Sequence, residues 1–193
     1  MTSQPDMTQQ ITVYLRSEGS RSLEELGALM GTVAAAWQRC LEAMTDAQAS
    51  FHPPEGAPAP TPGSGEGQKW STKEVIGHFL FSDRSLNQRI AEMAGLPPPA
   101  VEVPRVSAMG EQSAEDERQL IAELRRRLDS FFDDTRAMLL SLESRGVPDG
   151  SFPHPVFGPL AVTEWVAFHR LHSIDHIRQI DSVKSAPGYP AAG

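Results

Sequence analysis

Residues 71–93, STKEVIGHFLFSDRSLNQRIAEM, read as one amphipathic helix whose start is written into its first four residues. Ser71 and Glu74 have capping-box spacing: the hydroxyl takes the Glu74 N–H and the carboxylate reaches back to the Ser71 N–H. Val75, Ile76, Phe79, Leu80, Leu86, Ile90 and Met93 then recur three and four apart, which is one helical face. Three more segments share the period. Residues 20–50 carry Leu23, Leu26, Leu29, Met30, Val33, Ala34, Trp37, Leu41 and Met44, and residues 113–144 carry Leu120, Ile121, Leu124, Leu128, Phe131, Phe132, Met138, Leu139 and Leu142. The fourth segment, residues 163–183, opens on Thr163, a residue suited to an N-cap. Gly146 stands where the third segment needs a C-terminal cap. No stretch alternates with period two, and prolines in the breaks argue against sheet ladders. The expected fold class is all-α, a four-helix bundle.

The breaks set the organisation. Residues 51–68, FHPPEGAPAPTPGSGEGQ, have little apolar surface to offset the entropy of ordering them, so a flexible loop inside one domain is expected. Further breaks lie at residues 95–99 and 146–159 and from Pro187 onward. The expected division is an N-terminal extension over 1–19, a single bundle domain over 20–183, and a C-terminal tail over 184–193. A chain of 193 residues is long enough to bury a core without disulfide or zinc staples.

Charge and composition narrow the function. Seventeen Lys and Arg face 25 Asp and Glu, and the net charge of −8 speaks against a phosphate-backbone partner. No apolar run approaches the roughly 18 residues of a membrane span, and MTSQPDMTQQ lacks the basic start and apolar stretch of a secretory leader. Cys40 is the only cysteine, which excludes an internal disulfide and a cysteine-based zinc cluster. A cytoplasmic protein acting on a small molecule is expected, without nucleic acid or membrane as partner.

Candidate chemistry concentrates in the fourth segment. TEWVAFHRLHSIDHIRQI, residues 163–180, places His169, His172 and His176 within eight residues. Positions 172 and 176 are one turn apart and offset by only ~40° around the axis, so two imidazoles can converge on one ion. His78 is the candidate third ligand: it sits among Val75, Ile76, Phe79 and Leu80, where a neutral imidazole needs a hydrogen-bond partner or a metal. His52 and His154 fall in Pro-rich loops and read as solvated. The Glu-x-x-His repeats of di-iron bundles, the His-Glu-x-x-His of zinc proteases, a phosphate-binding Gly loop and a Ser-centred elbow are all missing.

Two stretches together resemble the DinB-like (YfiT-like) superfamily. WSTKEVIGHFLFSDR, residues 70–84, is similar to its second-helix signature, with Trp before the helix, His in the first turns and an acid five positions later. HPVFGPLAVTEWVAFHRLHSIDHIRQI, residues 154–180, is similar to its final signature. The resemblance implies up-down-down-up connectivity, a frequent homodimer, and a divalent metal, nickel or zinc most often, on three histidines. By position these are His78, His172 and His176, with His169 outside the pattern as a neighbour. Asp83 matches the acidic position of the second helix. Ser173 stands where the family often has Asp, with Asp175 two residues on.

Three imidazoles leave an ion with open coordination positions, which suits catalysis or ligand capture. Characterised relatives include thiol S-transferases, a maleylpyruvate isomerase that uses a thiol cofactor, and proteins described as hydrolases. The expectation is therefore a metal-dependent enzyme of the thiol S-transferase or hydrolase type, with a low-molecular-weight thiol as co-substrate. Asp83 would orient a ligand imidazole or accept a proton. The alternative is a non-catalytic bundle that binds a metal or small ligand as a stress-related module.

Overall fold

A computed structural model of the chain describes residues 6–54, 69–97 and 109–191, with the backbone alone for 109–113. Among them seven helices and one hairpin form. In chain order they are α1 (Met7–Gly19), α2 (Leu23–Cys40), α3 (Asp46–Ala49), α4 (Thr72–Met93), α5 (Met109–Arg118), α6 (Ile121–Arg145), β1 (Ser151–His154), β2 (Gly158–Ala161) and α7 (Val162–Lys184). The four long helices α2, α4, α6 and α7 enclose the core: α2 lies against α6 and α7, and so does α4. Trp37, Phe79, Phe131, Leu124 and Leu142 fill the space between them. No helix among the described residues is long and apolar enough to cross a membrane.

The capping box of α4 forms as its residues require. Glu74 Oε2 accepts the Ser71 N–H at 2.8 Å, and Ser71 Oγ accepts the Glu74 N–H at 3.2 Å. Gly146 ends α6 with φ +93°, its N–H on the Leu142 carbonyl at 2.8 Å. Helix α7 starts one residue before Thr163, because the Glu164 carboxylate takes the Ala161 N–H at 2.8 Å.

Two expected helices are each split. The first stops at Cys40; Ala43 turns left-handed at φ +54°, and Thr45 with Gln48 caps the short α3. The third breaks at Gln119 and Leu120, between α5 and α6. There Asp46 of α3 reaches across to take the Ile121 N–H at 2.8 Å, supplying the cap that Leu120 cannot. Within residues 1–19, α1 packs along α7, with Leu15 fully buried. Residues 185–191 fold back as well: the Pro190 carbonyl accepts from Gln48 Nε2 at 3.1 Å, and Tyr189 meets Phe51 edge-on.

The expectation of no sheet is corrected in one place. β1 and β2 pair antiparallel through the Pro-rich stretch, with Pro153 opposite Pro159. Placing both prolines in the same pair confines their missing N–H groups to one position of a two-stranded ladder, where outward-facing groups need no partner. Of the stretch 51–68, residues 55–68 lie outside the described residues.

Candidate metal centre

His78 is in the second turn of α4, and His172 and His176 are a turn apart on α7, the helix packed against it. The structure brings together the three histidines that the sequence singles out. One ring nitrogen from each lies within 4.8 Å of the others. His172 and His176 are 4.4 Å apart by ring centroid, and His78 is 5.7 and 5.1 Å from them. Aromatic rings wall the cluster: Phe79 behind it, Trp70 over His78 at 4.9 Å, and Phe168 stacked on His172 at 5.2 Å.

Hydrogen bonds behind the rings decide which nitrogens face inward. His172 Nδ1 donates to Asp83 Oδ2 at 2.6 Å, and His176 Nδ1 donates to Gln179 Oε1 at 2.9 Å. With the protons there, both Nε2 atoms present lone pairs, and they face one another at 2.9 Å. Two lone pairs repel at that separation, so a cation belongs between them: a proton in the metal-free protein, or a metal ion. Bonds of about 2.0–2.1 Å to a common ion hold adjacent nitrogens about 2.9–3.4 Å apart, so His172 and His176 have the spacing of two ligands on one divalent metal. Carbonyl or carboxylate partners on the far nitrogen are also what metal-binding histidines use to fix their tautomer.

Electrostatics keep two of the rings available. Burial pushes the His78 imidazole down to about 4, with the charge of His172 adding to the effect and Asp83 opposing it. Burial likewise pushes His176 well below the usual histidine range, helped by His172 and His78. Both are neutral near pH 7, the state a metal requires. Burial alone would raise the Asp83 carboxyl; the charges and hydrogen bonds of His172 and His169 outweigh it and hold Asp83 below the ordinary carboxylate range.

Sequence spacing shows only part of this arrangement. His169 faces away from the cluster into a buried chain: its Nδ1 meets Asp83 Oδ1 at 2.5 Å and its Nε2 meets Asn87 Oδ1 at 2.9 Å. Asn87 Nδ2 donates to Thr135 Oγ1, whose own proton goes to the Phe131 carbonyl. Asn87 is thereby oriented with its oxygen toward His169, whose two nitrogens both face acceptors. Asp83 thus grips two histidines at once. Ser173 is fully buried and its hydroxyl has no partner among the described residues. A signal for His169 was present: it lies three residues before His172, on the same face.

The two loop histidines differ. His52 is exposed; its Nδ1 donates to the Lys69 carbonyl at 2.9 Å, and Glu74 and Glu117 lie 3.4 and 3.8 Å from the ring. These three could also hold an ion, but Glu74 already serves the α4 cap and Glu117 accepts the Ser71 hydroxyl. His154 is half-buried beside Phe168, close to the cluster.

In comparison with known proteins, the DinB superfamily matches over residues 29–180, a span from α2 to α7 that contains His78, His172 and His176. No curated protein and no solved structure gives a significant match.

Proposed function

The chain belongs to the DinB superfamily, and we propose that it is a metal-dependent enzyme of the thiol S-transferase or hydrolase type acting on a small molecule. The observation that carries this reading is the pair of Nε2 atoms of His172 and His176 facing one another at 2.9 Å beside His78, with Asp83 and Gln179 on their Nδ1 atoms. Three imidazoles with no fourth donor among the described residues make an open site, the kind catalytic rather than structural ions occupy. Nickel and zinc both suit imidazole. When bound, such an ion lowers the pKa of a coordinated water or thiol toward neutrality.

The chain's own residues do the rest. His78, His172 and His176 would hold the ion between α4 and α7. Asp83 keeps His172 in the Nδ1–H tautomer, and Gln179 does the same for His176. Both Asp83 oxygens already accept ring N–H groups, which favours the orienting role over that of proton acceptor. Phe79, Phe168 and Trp70 exclude water from the sides. Antiparallel pairing of α2 with α6 (Gln38 at Asp129, Gly27 at Leu139) and of α4 with α7 (His78 at His176, Asn87 at His169), with α4 parallel to α6 (Arg84 at Arg127, Asn87 at Thr135), supports an up-down-down-up bundle. The reading extends to a cytoplasmic homodimer, for which exposed Met7, Val13 and Leu140 offer apolar surface.

The test is a screen of thiol conjugation and hydrolysis with protein of measured metal content. A variant with His78, His172 and His176 all changed to Ala should keep its helical circular dichroism and lose turnover. No turnover in the parent, with unfolding of that variant, would instead support a non-catalytic bundle in which the ion only ties α4 to α7.

A further inference from the structure

His154 closes β1, and the hairpin folds it back over α7 rather than into solvent. Its ring stacks on Phe157 at 4.5 Å and meets Trp165 at 5.3 Å and Phe168 at 4.8 Å. Phe168 in turn stacks on His172. His154 therefore sits one ring away from the histidine cluster along the same wall. The hairpin is anchored there by Trp165, which stacks on Phe152 and donates its indole N–H to the Phe152 carbonyl at 3.2 Å.

The turn between the strands fixes the tautomer of His154. Its Nδ1 accepts two backbone N–H groups, from Val156 at 3.0 Å and Phe157 at 3.3 Å. Both partners are donors, so Nδ1 carries no proton and the ring hydrogen is on Nε2. Gly158, opposite His154 in the ladder, makes this turn with φ +75°. Burial, with the charge of His172 behind it, pushes the imidazole down to about 4, so the ring is neutral near pH 7. Nε2 has no hydrogen-bond partner among the described residues, and it is not among the buried unpartnered atoms. It is a fixed, solvent-reachable donor. A neutral imidazole locked in one tautomer can polarise an oxygen acceptor without exchanging its proton.

We propose that His154 is a substrate-binding residue whose Nε2–H takes a carboxylate or carbonyl oxygen of a molecule whose other end sits at His78, His172 and His176. The proposal rests on the metal-dependent reading above and narrows its substrate class. The ligand carries a metal-seeking group, such as a thiolate, and an oxygen acceptor a few bonds away.

The experiment uses the full chain loaded with cobalt(II) and follows thiolate binding by the charge-transfer absorption it produces. Ethanethiol is compared with mercaptoacetate and 3-mercaptopropionate, which add the acceptor. In the parent, the better-fitting mercaptocarboxylate should bind about tenfold or more tightly than ethanethiol, the scale of a hydrogen bond to a charged group. In His154→Phe that advantage should vanish while cobalt affinity and ethanethiol binding stay unchanged. His154→Gln, whose amide can accept the two backbone N–H groups and still donate, should retain part of it. Equal binding of all three thiols by the parent would overturn the proposal, whatever the variants do. So would an advantage that survives in His154→Phe. Failure of the parent to bind cobalt would instead overturn the metal-dependent reading itself, and this proposal with it.

Discussion

Asp83 is fully buried with one oxygen on His169 and the other on His172, so a single carboxylate couples the structural chain of Asn87 and Thr135 to the candidate metal centre. Asp83→Asn keeps the shape but removes the charge and supplies a donor where an acceptor is needed. It should weaken metal binding by about 10–100-fold, the usual loss when such an outer partner goes. It should also destabilise the metal-free protein by about 3–5 kcal/mol, the scale for breaking a buried ion pair. Chelator competition and urea titration measure the two effects separately. Acid acts through different residues. His78 is pushed from 6.5 down to about 4, and His176 is pushed down as well. Below about pH 6.5 the unfolded chain takes up protons that these folded rings refuse, so stability is full above that pH and declines as pH falls toward 4. The urea midpoint of the metal-free protein should drop between about pH 7 and 5, and a flat midpoint would contradict the burial of these rings. Metal affinity should hold over that range and fall only nearer pH 4, where the folded His78 ring takes up its proton and its lone pair is lost to the ion.

Helix α4 shows what short-range chemistry can specify. Its box, its apolar face and its two acting residues, His78 and Asp83, are all written within 23 residues, and all form where the spacing places them. The split before α6 was not legible, because its cause is distant in sequence, whereas the one before α3 carries a local mark in the Thr45–Gln48 capping box. Asp46 caps α6 from 75 residues away, and no local pattern announces that contact. The hairpin was hidden because proline is a poor strand former in general, and only the register reveals that both prolines share one pair. Helix α5 touches α4 at Gly77 next to His78. A Cβ there would collide with Oδ2 of Asp116, a fully buried residue whose Oδ1 lies 3.5 Å from Arg127 Nη1. Gly77→Ala should therefore displace α5 and cost about 1–3 kcal/mol, despite alanine's better helix propensity. Thermal melting of that variant checks it, and an unchanged or raised melting point would show that α5 does not pack as described.

At the scale of the molecule, α1 joins the bundle although it lies outside the family-matched span. Tyr14 accepts a hydrogen bond from Arg170 of α7, and Gly19 brings the helix end so close that a Cβ would stand 2.9 Å from the Glu164 backbone nitrogen. Leu15→Ala should cost about 2–5 kcal/mol, a core value, as judged by urea unfolding; less than about 1 kcal/mol would make α1 a loose appendage. The sequence alone treated residues 1–19 as an extension because that segment is short and mostly polar, and only the docking against α7 reveals its part in the fold. The site was legible to the same depth: the i, i+4 pair and His78 stand out by spacing, whereas Asp83 joining His169 to His172 depends on how α4 meets α7. Everything functional rests on whether the three rings hold an ion. Zinc or nickel binding, measured by titration calorimetry with elemental analysis of the dialysed protein, is the direct test on the parent, His172→Ala and His169→Ala. The parent should bind the ion at this centre, His172→Ala should lose most of the affinity, and His169→Ala should lose much less. No binding by the parent, or equal losses in the two variants, would contradict a centre built on His78, His172 and His176.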